Sequence, residues 1–508
     1  MPRLVSLSTS SALALGIVSG PAFADLSAQE VWDGIEKTMV NFGYSVSATE
    51  SPRSGGLDVT DVVLRFEVPE DNSTVSMSVE EIALIENGDG SVSMTFPTSM
   101  PIAVDAAPQG EDAVKVQIDY DNAGLEIVVS GEPSAMVYAY RADSMSMALA
   151  ELIVNDEVIG RDAARFAFSM TGLAGTTLTA FAADTRISQE VRAQSVNYDF
   201  AFNDPETDDS AIVSGSMQNL FAEGATILPE GFDPADPQAF ANGGFEADMA
   251  VGYEAGEMQF AATDGRGASS GATSSSSVNF AFELDQSSVG YSVTSTGVTL
   301  NATSPDLPVP VSVSMGENSV NLRIPLAASD TPQDMAFGFT LGGFEMSELL
   351  WNMVDPAAAL PRDPATISLD LTGQATPFVN FFDPAAMEQL DATGGMPGEL
   401  NSIKLNDLTV EAAGAKLGGS GSFTFDNQDL QTFGGVPRPS GSVDLTLEGA
   451  NALIDKLIGM GLMTAEDAMG ARMMMSMFAV PGDGPDSLNS SIEINDQGHV
   501  LANGMRIQ

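Results

Sequence analysis

From about Leu57 to Leu326, apolar side chains return at every second position, a period that suits a β-strand with one dry and one wet face and that no helix satisfies. Val75, Met77 and Val79 precede Val92, Met94 and Phe96, with Asn87-Gly88-Asp89-Gly90 as the turn of a hairpin. Val114, Val116, Ile118 and Tyr120 face Leu125, Ile127 and Val129 across Asp121-Asn122-Ala123-Gly124 by the same reading. Val196, Tyr198, Phe200 and Phe202 alternate, as do Phe280, Phe282 and Leu284. Val309, Val311, Val313 and Met315 then pair with Val320, Leu322, Ile324 and Leu326 through a turn at Gly316-Glu317-Asn318-Ser319. The expected object is a long antiparallel meander, interrupted by a flexible Gly/Ser-rich loop from Gly265 to Ser277.

Helices frame this meander. Ser27, with Glu30 three residues on, caps a short helix that carries Val31, Trp32, Ile35, Met39 and Val40 on one face and ends at Gly43. From about Met335 the pattern changes to a weak internal repeat. Phe337, Phe339 and Leu341 alternate up to Gly343 and give way to Met346, Leu349, Leu350, Met353 and Val354 at helical spacing. Val443, Leu445 and Leu447 lead in the same way through Gly449 to Leu453, Ile454, Leu457 and Ile458. A further strand follows each unit, Ile367-Leu369-Leu371 or Ile492-Ile494. The fold class is therefore mainly β with helices (α+β), an elongated antiparallel meander with two strand-Gly-helix units in the C-terminal third. Residues 25–330 form the N-terminal helix and meander, and 331–508 the strand-helix-strand repeats, either continuous with the preceding sheet or separate from it.

Residues 1–24 read as a signal peptide: basic Arg3, an apolar run from Ala12 to Val18, then the small-x-small site Ala22-Phe23-Ala24. The mature chain is expected to start at Asp25, in the periplasm, with no membrane span and no Cys to carry a lipid. Cysteine is absent altogether, which removes disulfides, thiol catalysis and thiolate metal sites. Seventy acidic residues against 19 basic give a formal charge of −51, a field that repels nucleic acid and anionic membrane faces. Because the acids are scattered, they read as a solvated coat before they read as a cation store or a docking surface for a basic partner. Only Asp204 to Asp209 is dense, and it reads as an exposed loop.

No motif carries catalytic chemistry. Gly267-Ala268-Ser269-Ser270-Gly271 matches a nucleophile elbow in letters only, in low-complexity sequence with no helix behind it. His499, the single histidine, follows Asn495-Asp496-Gln497-Gly498 and reads as an exposed turn residue. Asp119-x-Asp121-x-Ala123-Gly124 starts like a calcium loop but fails at Ala123 and at Ser130, and reads as a hairpin turn. No catalytic, cofactor-binding or metal-ligating residue is assigned, and no cofactor is implied.

Methionine is the remaining signal, 26 in all, with Met469, Met473, Met474, Met475 and Met477 beside Phe478 in a helix that opens at Thr464 with Asp467 three residues on. Such thioethers read either as core filler or as an adaptable apolar groove, whose candidate lining is Met346, Leu350, Met353, Leu453, Leu457, Met469, Met473, Met477 and Phe478.

The capped helix, the meander, the strand Gly441 to Gly449, the helix Leu453 to Leu462, the Met-rich segment and the closing Ile492-x-Ile494-Asn495-Asp496-x-Gly498 together resemble an uncharacterised exported alphaproteobacterial family, domain of unknown function 2125. The resemblance implies a Gram-negative periplasm and supplies no activity. More distantly, the alternation of meander with strand-glycine-helix units is similar to large periplasmic β-groove proteins that handle lipids at the cell envelope, an analogy of fold alone. The expected function is a non-enzymatic cell-envelope protein holding a lipid or an envelope protein on an apolar sheet-helix surface. Its rivals are a purely structural or protein-binding module with an acidic surface and a carboxylate-based hydrolase; an outer-membrane barrel fits less well, because helices interrupt the later strands. N-terminal sequencing of the protein from a periplasmic extract is expected to read Asp-Leu-Ser-Ala; a chain that retains Met1 to Ala24 contradicts the export reading.

Overall fold

Ser27 caps helix α1 (Ala28–Asn41) in a reciprocal box, its hydroxyl accepting from Glu30 N while the Glu30 carboxylate accepts from Ser27 N at 2.9 Å. The computed structural model describes residues 25–68, 73–107, 113–204, 207, 209–232, 239–240 and 243–507. The signal-peptide segment, Met1 to Ala24, lies outside them, as do Pro205, Glu206 and Asp208 of the acidic loop.

Behind α1 the described residues form one 25-stranded sheet in which every pairing is antiparallel. β1 (Ser45–Arg53), β2 (Gly56–Val68) and β3 (Ser73–Glu86) make one end. β4 (Val92–Thr95) and β5 (Ser99–Ala107) are two pieces of a single course along β3. Next come β6 (Val114–Ala123) and β7 (Glu126–Glu132), then β8 (Ala135–Val154) with a short arm, β9 (Glu157–Ile159). Long neighbours follow in order: β10 (Ala164–Phe181), β11 (Thr185–Asn203), β12 (Ser210–Leu228), β13 (Glu246–Asp264), β14 (Gly267–Leu284), β15 (Ser288–Thr303), β16 (Val311–Pro325) and β17 (Gln333–Met346). Helices then interleave: α2 (Glu348–Val354), β18 (Ala365–Pro377), α3 (Pro384–Thr393), β19 (Gly398–Ala412), β20 (Ala415–Asp426), β21 (Arg438–Glu448), α4 (Ala450–Gly459) and α5 (Ala465–Phe478). Short strands close the sheet: β22 (Val480–Pro481), β23 (Ser487–Ile494), β24 (Val500–Ala502) and β25 (Met505–Arg506). The ladder passes unbroken from β16 to β17, across residue 330. Among the described residues β1 pairs only with β2, so the sheet is open.

Two expected hairpins are absent. β6 does not turn back on β7; both lie end to end along β8, Asp121 opposite Ser146 and Glu126 opposite Arg141, so the calcium-like stretch is strand from Asp119 to Ala123 with a bend at Gly124. Likewise Val311 to Pro325 is one straight strand, paired throughout with β15 and not folded at Gly316. In both places the alternation changes phase, from even to odd positions at Gly124 and from odd to even at Gly316, and the cause is a line of left-handed residues that crosses the sheet. Gly124, Gly172, Asn219, Ala255, Gly297 and Gly343 all have φ between +51° and +64°, each in mid-course. Register aligns them: Gly172 meets Gln194, which lies opposite Asn219, while Gly297 meets Ser276 and lies opposite Gly316, which in turn meets Gly343. A left-handed residue displaces the pleat by one position. The ring of Tyr253 lies where a Cβ of Gly256 would sit, so positions 253 and 256, which a regular strand sends to opposite faces, share one. The odd set Met249, Val251 and Tyr253 and the even set Met258 and Phe260 therefore line the same side.

The Gly/Ser-rich segment is another correction. It is strand β14, not a loop, because its hydroxyls pair across the ladder: Ser270 with Thr303 at 3.2 Å, Ser274 with Thr299 at 2.8 Å and Ser277 with Thr296 at 2.7 Å. Its glycine is covered by a neighbour's aromatic ring, Phe260 over Gly271.

Dense packing is concentrated under α1. Val31 and Trp32 press on Leu57, Val59, Leu84, Val92, Val129 and Met136, and Trp32 is only 1% exposed. Gly34 lets the helix approach Met136, Lys37 lies 4.7 Å from the Phe181 ring, and Asn41 Nδ2 donates to Thr185 Oγ1, so α1 spans strands as far as β11. Val40, expected on the buried face, is exposed.

Ala255→Gly is expected to stabilise the protein by about 1 kcal/mol, since alanine resists φ +53°, whereas Gly297→Val costs at least about 2 kcal/mol from the same backbone constraint. Urea unfolding midpoints check both, and equal midpoints contradict the seam. Burial, then the charges of Glu50 and Asp33, hold the Glu36 carboxyl above its ordinary range, against a weaker Trp32 N–H contact. Its ionised form is thus disfavoured by folding, a penalty present at neutral pH and lost as pH falls through the raised value. Glu36→Gln should lift the melting temperature by about 1 °C at pH 7 and leave it unchanged in strong acid.

Candidate functional site: an apolar cavity at the end of an open face

Cross-strand register turns the alternation into continuous apolar rows. One runs Met249, Phe282, Tyr291, Leu322, Phe337, Leu371 and Leu405; the next runs Val251, Phe280, Val293, Val320, Phe339, Leu369 and Leu408. Directly paired residues share a face. Among the described residues no helix packs on this stretch with the closeness of α1: Phe280, Tyr291, Ile324, Phe337 and Phe339 remain between 36% and 40% exposed. Contiguous apolar surface of this kind is uncommon on folded proteins outside contact surfaces and aggregation-prone patches.

The rows end in a cavity of about 360 Å³. Its floor comes from the end of β16 (Leu322, Ile324, Pro325), the start of β17 (Met335, Phe337), the end of β18 (Leu371, Ala375, Thr376) and the start of β19 (Leu400, Ile403). Phe381 and Pro397 close it from the connection that carries α3. Backbone hydrogen bonds lace that connection to the sheet end: Phe381 N to Leu326 O, Ser329 N to Pro377 O, Phe378 N to Pro397 O and Leu326 N to Ser287 O, all between 2.7 and 3.0 Å. Beside it Phe240 stacks among Phe232, Phe245 and Phe382, with ring centroids 5.3 to 6.0 Å away. Asp383 caps α3 by accepting from Ala385 N and Ala386 N, yet α3 buries no side chain, so it lies over the sheet end and not within a core.

Two charged residues, Arg323 and Glu399, belong to the lining. Arg323 stands between Leu322 and Ile324, and its guanidinium meets Glu283 Oε2 at 3.3 Å and Ser288 Oγ at 3.2 Å. Nearby, burial works against ionisation of Asp285, but hydrogen bonds from Ser287 and from Ser288 N, together with Arg323, hold its carboxyl below the usual range. Glu399 is the acidic residue on the lining, and Thr376, whose hydroxyl donates to Asn401 Oδ1 at 2.9 Å, is a neutral polar group there.

The groove residues expected from sequence lie elsewhere, and none of them lines this cavity. Met346 is the last residue of β17 and not part of a helix, because Gly343 stays in the strand and Ser347 precedes α2 instead. Leu350 and Met353 follow on α2, Met353 exposed. Gly449, at φ +71°, does form the corner before α4, on which half-buried Leu453 and Leu457 flank buried Ile454. Met469, Met473, Met477 and Phe478 are on α5, where Thr464 is the cap and Ala468 the one buried residue; the methionines are exposed, Met473 by 60%, and are not core filler. Both helical insertions sit at the sheet end opposite the cavity, on either side of the β19–β20 turn, whose Gly414 neighbours Pro361 and Gly449.

The other motifs are structural. Gly267 to Gly271 opens β14 with Ser270 paired to Thr303, and Ser269 is at no turn. His499 is half-buried, not exposed, since its backbone N–H and C=O are both bound by Asn495. Among the described residues, no group of three or more His, Cys, Asp or Glu side chains is placed to hold a metal ion, and no helix is long and apolar enough to cross a membrane.

Comparison with curated proteins and with solved structures found no match. The pattern described as an uncharacterized protein conserved in bacteria, DUF2125, matches residues 234–507, from the β12–β13 connection through the cavity to β25. The chain therefore belongs to the DUF2125 family.

Proposed function

We propose that this chain is a non-enzymatic, exported protein of the cell envelope that holds a lipophilic ligand in the cavity and along the apolar rows that lead to it. The observation that carries the reading is the continuity of those rows with the cavity. From Phe280 through Val293 and Val320 to Phe339, and from Tyr291 through Leu322 to Phe337, one greasy track ends at the chamber under Phe381. Binding would be driven by removal of apolar surface from water on both partners, with little directional chemistry. The acidic coat on the remaining surface keeps such an exposed face from associating with other copies, because the net charge of −51 makes every encounter repulsive.

A ligand survives purification if this is correct. Organic extraction of the protein taken from cells should release a lipid detectable by mass spectrometry, and an environment-sensitive fluorescent acyl probe should bind the emptied protein. Phe337→Asp, which places a charge on the track without touching a buried core, is expected to weaken probe binding about tenfold or more. Met473→Gln on α5 should leave it unchanged. An empty extract together with no probe binding sinks the proposal, and loss of binding in Met473→Gln alone moves the site to the helical end.

A further inference from the structure

We infer that the cavity selects a single acyl chain whose head group carries no net negative charge. This inference rests on the lipophilic reading above and adds the chemistry of the head. The chamber of about 360 Å³ lies at the small end of ligand pockets, which suits one chain and not a bulky polycyclic or multi-chain lipid. Its lining is mostly aliphatic and aromatic, and Arg323, the cation on it, has its guanidinium engaged by Glu283 and Ser288. Lys404, which follows Ile403, is exposed and is not part of the lining. An anionic head is thus offered no unengaged cation on the wall. Glu399 stands on the lining and repels it, and so does the field of a chain with 70 acidic side chains. Thr376, by contrast, presents a hydroxyl that an uncharged glycerol or a similar neutral head group can match.

Competition against a bound fluorescent acyl probe tests this on the full chain with four palmitoyl or hexadecyl compounds of equal chain length: monopalmitin (neutral), hexadecylphosphocholine (zwitterionic), palmitate and hexadecyl phosphate. At pH 8 and low salt the first two should displace the probe at concentrations about tenfold below the last two, with the gap narrowing as salt screens the field. Glu399→Gln should improve palmitate several-fold while leaving monopalmitin unchanged. Ala375→Trp, which fills the chamber, should abolish all four, and Glu399→Gln serves as the independent variant if that bulky change impairs folding. Palmitate equal to or tighter than monopalmitin overturns the head-group inference and leaves the lipophilic reading standing. Failure of every compound and of the probe itself overturns both.

Discussion

The architecture depends on one steric constraint: keeping apolar side chains on a single side of strands that run to twenty residues, as β8 does. An extended chain alternates its side chains without exception, so any change of phase would send half of each strand's apolar residues into water. The left-handed seam from Gly124 to Gly343 removes that penalty by displacing the pleat in register across neighbouring strands. Because facing strands shift together, the ladder keeps its pairing sums on both sides, as β10 and β11 do on either side of Gly172. The seam is cheap where glycine occupies it, acceptable at Asn219, and strained at Ala255.

How far the sequence discloses this structure follows from which forces are local. The capping box at Ser27, the cap at Thr464 and the period-two runs are decided by residues within a few positions of each other, and each is found where those residues put it. The phase changes at Asp121–Gly124 and Gly316–Ser319 were equally visible, but a reversal of the chain and a displacement of the pleat leave the same local trace. Only the strands alongside distinguish them. The Ser/Gly run of β14 fails for a related reason: its order comes from Thr296, Thr299 and Thr303 on the next strand and from the Phe260 ring, none of which a composition reading can see. The cavity was least legible. Leu322, Phe337, Leu371 and Ile403 were all recognisable as alternating strand residues, yet their convergence is a matter of register among strands, and the methionine cluster drew attention to the opposite end.

The protein divides its burial unequally. Beneath α1 the side chains interlock and water is excluded, and that region supplies the bulk of the fully buried apolar residues. Beyond β12 the same alternation continues without a comparable cover, and the apolar face is left half in solvent. A chain of this composition could have closed a second layer over it; instead its later helices occupy one end, and the Phe232, Phe240, Phe245 and Phe382 rings gather at the other. With no cysteine to staple the sheet, the long ladders and the packed N-terminal region carry the stability together.

The meander also sets the order in which the molecule can be made. From β11 to β21 each strand finds its partner in the strand synthesised just before it, so these pairings wait on no distant part of the chain; only β23 reaches back past α4 and α5 to β21. The interlocked region under α1 lies at the leading end and provides a finished edge onto which successive strands can be laid like courses of brick. A chain that must assemble as it emerges, N-terminus first, never holds more than one unpaired ribbon at a time, which keeps so large and greasy a sheet out of aggregates while it grows.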